Sequence, residues 1–225
     1  MRRRASISAI TEKLLDLLFP PRCPFCRAIL KDSEKLLCGK CRKTLPWTPE
    51  AGQKQTLRHV ELCVSPLYYD GDVRRSLLRY KFGGMRCYAP GYARLMEDCI
   101  LAAGLGFDLI SWVPLGRKRL KKRGYDQARL LAQALSSSLG KPCPQLLVKT
   151  ADNPPQSGTG SAEKRRANVS GVYRIADPLL VRDQRILIVD DIVTTGSTIS
   201  ECARVMKAAG AKTVYAATLA RSRIG

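Results

Sequence analysis

The sequence predicts an α/β fold, a mostly parallel sheet with helices on both faces, joined to a small N-terminal module stapled by cysteines. Three observations predict it. From Val60 onward, apolar strand-like runs alternate with stretches of helical periodicity, the pattern of parallel strands joined by crossover helices. One of those runs, at residues 185–191, is wholly apolar at its centre, as expected for a strand buried on both faces. The first fifty residues lack such periods and hold two Cys-x-x-Cys pairs instead. The boundary falls at residue 50, with 1–50 as an amphipathic helix and metal-binding module and 51–225 as the α/β domain.

Length and composition agree with this division. At about 150 residues per domain, 225 residues hold one substantial domain and a small one. With 45% hydrophobic and 26% charged residues the chain is that of an ordinary globular protein. Thirty-nine basic against nineteen acidic residues leave +20, a balance that favours anionic partners such as phosphate esters or nucleic acid. The apolar run at 99–107 falls far short of the roughly 18 residues of a membrane span. Three arginines at the start imitate a signal peptide, but Glu12, Lys13 and Asp16 interrupt the apolar stretch behind them. Ile7, Ile10, Leu14, Leu17 and Leu18 recur at helical spacing instead, and the expected location is the cytoplasm.

The elements are taken in chain order. Residues 60–69 read as a strand, 73–82 as a helix with Lys81 exposed at its end, and 89–104 as a second helix. Residues 108–115 form a short apolar run ending near a proline, typical of a buried strand. A basic loop is expected at 117–123, where six of seven residues are basic, and then a helix at 125–139. Residues 144–150 read as a strand. The polar, Gly/Pro-rich stretch 151–171 is too long for an idle connector and reads as a lid or a disordered segment. Strands at 172–175, 185–191 and 212–220 and a helix at 198–209 complete the pattern.

Cys23, Cys26, Cys38 and Cys41 form two knuckles separated by eleven residues. Four thiolates at about 2.3 Å make the closed tetrahedral site of structural zinc, and the glycine of the second pair is expected to ease its tight turn. A redox pair, or incidental buried cysteines, is the competing reading. Such a metal can hold together a module too small to fold alone. Nine cysteines, an odd number with four tightly paired, argue against a disulfide framework. Cys63, Cys87, Cys99, Cys143 and Cys202 read as core filler, and His59, the single histidine, as surface or packing.

The strongest signal is Arg185-Ile-Leu-Ile-Val-Asp190-Asp191-Ile-Val-Thr194-Thr195-Gly196-Ser197-Thr198. A buried strand ends in two carboxylates, where ligands bind in open α/β sheets. Such a pair can accept hydrogen bonds from a vicinal diol and help hold a hydrated divalent cation. The loop after it offers hydroxyls and backbone amides, glycine permits close approach, and the next helix aims its positive end at a phosphate. Thr198 and Glu201 also fit a capping box.

This segment resembles the phosphoribosyl pyrophosphate motif of type I phosphoribosyltransferases. The resemblance implies that Asp190 and Asp191 hold the ribose as the catalytic pair. Val193, Thr194, Thr195, Gly196, Ser197 and Thr198 would bind the 5-phosphate, while a magnesium ion and an earlier loop hold the pyrophosphate. Leu115, Gly116, Arg117 and Lys118, after the strand at 108–113, suit that earlier loop, and Arg119 and Arg123 come next. The whole chain resembles the ComF/GntX family of competence and DNA-utilisation proteins. The match rests on the double cysteine pair after Leu-Phe-Pro-Pro, Tyr80-Lys81-Phe82, the run from Val113-Pro114-Leu115 to Arg123-Gly124-Tyr125-Asp126-Gln127, and Pro155-Gln156-Ser157-Gly158 onward to Val172-Tyr173. Asp126 stands where members often carry Asn, and Thr159-Gly160 replaces a more apolar stretch.

The family resemblance implies a type I phosphoribosyltransferase-like fold with a small zinc-ribbon-like module. Residues 151–171 would be a hood closing over the substrate, with Arg165 and Asn168 facing it and water kept from the ribosyl centre. A pyrophosphate contact is the second reading for Lys81. The implied function is a magnesium-dependent phosphoribosyltransferase (a glycosyltransferase by reaction type) that binds phosphoribosyl pyrophosphate and is linked to DNA uptake or utilisation. The alternative is a non-catalytic module that binds the same ligand or single-stranded DNA and acts through competence partners of helicase type. The +20 charge favours phosphate contacts, but few aromatics interleave with the basic residues to form a stacking platform.

Overall fold

The computed structural model describes residues 20–31, 34, 36–49, 54–150 and 171–223. Residues up to Leu45 and residues from Pro46 onward form two compact units. The expected N-terminal amphipathic helix lies outside the described residues, as do 151–170 and with them Arg165 and Asn168.

The first unit contains one short helix, α1 (Gly39–Thr44), among its described residues. Among its described residues Phe25, Leu30, Leu37 and Leu45 are buried beside Cys23, Cys38 and Cys41. A metal staple adds folding energy to a module this small.

The second unit begins with β1 (Lys54–Leu57) and β2 (Val60–Val64), antiparallel across a turn at which His59 takes φ +65 and lies exposed. The strand expected over 60–69 breaks at Ser65-Pro66, because proline has no amide to give to the ladder. It resumes as β3 (Leu67–Tyr68). The break is held by Ser65 Oγ against Thr218 Oγ1 at 2.6 Å and by Thr48 Oγ1 donating to Ser65 O at 2.7 Å. Helices α2 (Gly71–Phe82) and α3 (Ala89–Ala102) come next, then β4 (Leu109–Trp112), buried at every position.

The expected basic loop is a helix, α4 (Arg117–Arg123). Arginine, lysine and leucine are good helix formers, and Gly124, at φ +76, supplies the left-handed residue that closes it. After α5 (Gln127–Leu139) come β5 (Leu147–Lys149) and β6 (Tyr173–Ile175), which pair with each other outside the main sheet and flank residues 151–170. The chain then runs through β7 (Arg185–Val193), α6 (Ser197–Ala208) and β8 (Thr213–Arg221).

The sheet order is β1-β2-β8-β7-β4, with β3 also on β8. Every pairing in it is parallel except the β1–β2 edge. Ile186 and Ile188 of β7 join Ile199, Cys202, Ala203 and Met206 of α6 in one core layer. Helix α5 packs against β4 and β7, which places it on the side of Leu187 and Val189, since side chains alternate along a strand. Helices therefore cover both faces, as the continuous apolar run requires. Cys63, Cys99 and Cys202 are buried core residues and Cys143 is partly so, whereas Cys87 is exposed and fills no core. Among the described residues no helix is long and apolar enough to cross a membrane.

A buried tyrosine cluster fixes the end of α2. Tyr80 Oη donates to Gln127 O at 2.9 Å, Tyr125 Oη donates to Tyr80 O, and the Tyr80 and Tyr92 rings meet edge-on at 5.3 Å. The last turn of α2 is thereby held against the start of α5, close to the carboxyl end of β7.

Candidate functional site

The four cysteines of the first unit converge. Cys23 and Cys26 bracket a turn in which Arg27 N–H donates to Cys23 O at 2.9 Å and Arg27 takes φ +68. Cys38 caps α1 by accepting from Cys41 N–H at 3.4 Å. Gly39 does not ease the turn through a positive φ; it opens α1, and its N–H is held by the Glu34 carboxylate at 2.5 Å. All four Sγ atoms lie within 4.8 Å of one another, Cys26 and Cys38 at 3.4 Å. Four sulfurs at about 2.3 Å from a tetrahedral ion stand about 3.8 Å apart, so the cluster has the chemistry and size of a structural zinc site.

The acidic pair of the second unit is arranged differently from a simple strand-end pair. The strand expected to stop at Asp191 runs on to Val193, with Asp190 opposite Thr218 and Val193 opposite Arg221. Side chains alternate along a strand, so the two carboxylates reach opposite faces. Asp190 shares the face of Ile186 and Ile188 and is an electrostatic neighbour of Cys202 and Tyr173. Asp191 is on the other face, its Oδ2 lying 2.9 Å from Lys81 Nζ, with Arg123 and Asp126 within its electrostatic reach. Asp191 N–H donates to Asp190 Oδ1 at 2.8 Å. On one side β4 ends at Trp112, opposite Val189, so the carboxylates emerge just past the end of a neighbouring strand. That is the crevice position of ligands in open α/β sheets.

Asp190 keeps an edge at the surface, yet protein atoms crowd it elsewhere. That burial, and then the neighbouring Asp191 charge, push its carboxyl well above the ordinary aspartate range. Burial likewise raises Asp126.

Past Val193 the chain makes the turn to α6. Gly196 takes φ +72, and a Cβ there would meet Leu57 Cδ2 at 2.5 Å, so both backbone and space select glycine. Thr194 and Thr195 are exposed, and Thr195 Oγ1 meets Ser197 Oγ at 2.8 Å. The N-cap residue of α6 is Gly196, which has no side chain to offer, and the first amide of the helix, Ser197 N–H, reaches only Thr195 Oγ1 at a long 3.5 Å. The expected capping box is not formed, because α6 opens at Gly196 and places Thr198 inside its first turn; Glu201 Oε1 instead accepts from Gly171 N–H at 2.9 Å and its carboxylate grips Arg204 at 2.8 Å. The first turn of a 12-residue helix is thus left with amides and positive dipole facing the end of the sheet.

The earlier turn lies beside this one, since β4 and β7 are parallel neighbours. Asp126 organises it, accepting from Leu115 N–H at 2.9 Å through Oδ2 and from Arg129 N–H at 3.2 Å through Oδ1, which caps α5. Gly116 is buried at the start of α4, while Arg117 and Lys118 are in its first turn and exposed. Arg119 and Arg123 are half-buried; Arg123 stacks over Phe82 at 4.7 Å and Arg119 is an electrostatic neighbour of Tyr173. The structure therefore groups Asp190, Asp191, the 194–198 turn, Leu115, Gly116, Arg119 and Arg123 at one end of the sheet. Arg117 and Lys118 face solvent at its margin.

Lys81 is the residue that sequence reasoning misplaces. Its side chain is only 19% exposed and ion-paired, not free at a helix end. The signal is present in the sequence: Val73 and Leu77 are buried on α2, and Lys81 comes after them at four-residue steps on the same stripe.

Comparison with known proteins agrees with both units. Residues 125–225 match the family model of the phosphoribosyl transferase domain, and residues 14–55 that of the double zinc ribbon domain. The DNA utilization protein YhgH of Escherichia coli O157:H7 is 34% identical over 211 residues, covering 89% of this chain and 84% of its own. Competence protein F of Haemophilus influenzae is 28% identical over 222 residues, 89% and 97% of the two chains. Ribose-phosphate pyrophosphokinase 2 of Archaeoglobus fulgidus is 39% identical over 70 residues, 31% of this chain and 26% of that one.

Two outcomes are expected from these sites. Metal analysis of the purified protein should return about one zinc per chain, and Cys38→Ser should lose it together with protection of the first unit from proteolysis; a metal-free, protease-resistant first unit would contradict the site. For Asp190, a raised folded pKa means the folded state binds more protons than the unfolded one above about pH 4. Stability from this group is therefore lost as pH rises. Asp190→Asn should match the wild-type melting temperature near pH 4 and exceed it increasingly toward neutral pH, and parallel curves for the two proteins would refute the assignment.

Proposed function

This chain belongs to the ComF/GntX family of phosphoribosyltransferase-domain proteins, and we propose that it binds phosphoribosyl pyrophosphate with magnesium at the carboxyl end of the sheet. The observation that carries this reading is the start of α6, entered through a left-handed Gly196 with only a long Thr195 Oγ1 contact on its first amide, just beyond the strand that carries Asp190 and Asp191. An anion cradle and two carboxylates at that spacing fit one sugar phosphate.

In this reading Thr194, Thr195, Gly196, Ser197 and Thr198 hold the 5-phosphate through amides and hydroxyls. Asp190 and Asp191 accept hydrogen bonds from the ribose hydroxyls, one from each side of β7. Leu115 and Gly116 form the wall for the pyrophosphate, with Arg117, Lys118, Arg119 and Arg123 supplying positive charge around it. Carboxylate oxygens beside a polyphosphate are the hard donors magnesium takes, and when bound it neutralises the leaving group. Transfer breaks the C1–oxygen bond, its electron pair leaves with pyrophosphate, and a lone pair of the acceptor closes on C1. Positioning and charge stabilisation supply the rate, so the lack of a histidine base is no obstacle. Four clustered thiols that serve as the ligands of a zinc ion suit the cytoplasm.

The names of the relatives support a role in competence or DNA utilisation. A second reading takes α4 as its basis: Arg117, Lys118, Lys121 and Lys122 are exposed on one short helix, a surface suited to the phosphates of single-stranded DNA. In it the protein acts without catalysis, through helicase-type competence partners.

Calorimetry with phosphoribosyl pyrophosphate and magnesium decides the first reading. Wild type should bind, and Asp190→Ala/Asp191→Ala should weaken binding by at least about 100-fold, since each charged hydrogen-bond partner is worth about 1.5–3 kcal/mol. Equal binding by both proteins would reject the site. Pyrophosphate release on adding candidate nucleobases or amines separates an enzyme from a binding module.

A further inference from the structure

We infer that Lys81 is a ligand-binding residue for the pyrophosphate end of the substrate, and that its ion pair with Asp191 is the resting arrangement that the ligand replaces. The inference deepens the reading above and rests on it. Lys81 Nζ lies 2.9 Å from Asp191 Oδ2, and the two side chains are 19% and 10% exposed. A lysine stem and ammonium so enclosed lose hydration that must be repaid by a partner. The partner here is one of the two carboxylates that the ribose would engage. A purely structural ion pair has no need to occupy that carboxylate, since α2 is already secured by Tyr80 through Gln127, Tyr125 and Tyr92.

The side of the sheet identifies which part of the ligand Lys81 meets. Asp191 faces away from α6, toward α2 and α4; its ion pair is with Lys81 on α2, with Arg123 on α4 and Asp126 at the start of α5 nearby, and Lys81 and Asp126 also reach Asp190 electrostatically. Asp126 also holds Leu115 N–H, so this is the side of the 115–116 turn. The 5-phosphate cradle belongs to the opposite layer, where α6 packs with Ile186 and Ile188. When ribose hydroxyls take the oxygens of Asp191, the Lys81 ammonium is left next to the substituent on C1. Exchanging a single carboxylate for a pyrophosphate of about three charges favours that transfer. Because Tyr80 is locked on both its ring and backbone, its neighbour is presented from a rigid helix end, the condition for a precise contact.

Three probes separate the possibilities in one calorimetric series, each with magnesium: phosphoribosyl pyrophosphate, inorganic pyrophosphate and ribose 5-phosphate. Lys81→Met keeps the length of the stem and removes the charge. It should weaken the first two by about tenfold or more, the effect of one lost charged hydrogen bond, and leave ribose 5-phosphate within about twofold. Equal weakening of all three would make Lys81 a support for Asp191 only, and no weakening would make it a bystander; either overturns the inference. Should Lys81→Met melt far below wild type, Lys81→Arg provides the same decision. It keeps the charge and the fold, so read beside Lys81→Gln it should hold phosphoribosyl pyrophosphate and pyrophosphate at least about fivefold tighter than Lys81→Gln does while ribose 5-phosphate stays the same in both; equal affinities of the two variants for all three probes would overturn the inference. Failure of the wild-type protein to bind any probe would instead bring down the reading of the whole site.

Discussion

The organisation of the second unit depends on carrying charge at the end of a strand that is otherwise sealed from water. Ile186 to Val189 have no exposure, and the next two residues are carboxylates. Moving an ionised carboxyl out of water is unfavourable unless partners replace its hydration. The protein supplies them unequally. Asp191 has the Lys81 ammonium at 2.9 Å, while Asp190 has the Asp191 amide and a carboxyl shifted upward by burial. In the proposed reading, a bound diol and cation would satisfy groups at this edge that the fold alone leaves under-solvated. Stability is given up at the position where a ligand can restore it, the common trade between folding and function.

The same constraint explains the surrounding architecture. A strand buried on both faces demands helices on both, and these deliver two turns to one end of the sheet: 115–116 from β4 and 194–198 from β7. The two turns are held differently. The 194–198 turn enters α6 through Gly196, which brings no side chain to the helix start, while Asp126 fixes the other by taking the Leu115 amide and capping α5. The first unit gathers four thiols, a cluster at which a bound metal would add folding energy to a small module.

Much of this is legible in the sequence. The parallel sheet, the two cysteine knuckles and the acidic-pair-to-glycine loop rest on local patterns, and local patterns survive into the fold. What is not legible is set by tertiary contacts. The split at Ser65-Pro66 depends on a hydroxyl from Thr218, distant in sequence. The run from Arg117 to Arg123 reads as a loop only when charge density is weighed above helix propensity and the closing glycine. The opposite-face arrangement of Asp190 and Asp191 needs the strand to continue to Val193, which the small polar residues after it conceal. Lys81 misleads by its charge, though its place on the apolar stripe of α2 is there to be read.

The central claim is that one sugar diphosphate bridges the start of α6 and the end of β7. A crystal structure of the protein soaked with phosphoribosyl pyrophosphate and magnesium addresses it most directly. The account predicts the 5-phosphate seated on the amides of 194–198 and the ribose hydroxyls against Asp190 and Asp191. Ligand density elsewhere on the protein, with that turn empty and the Lys81–Asp191 pair intact at saturating ligand, would contradict it.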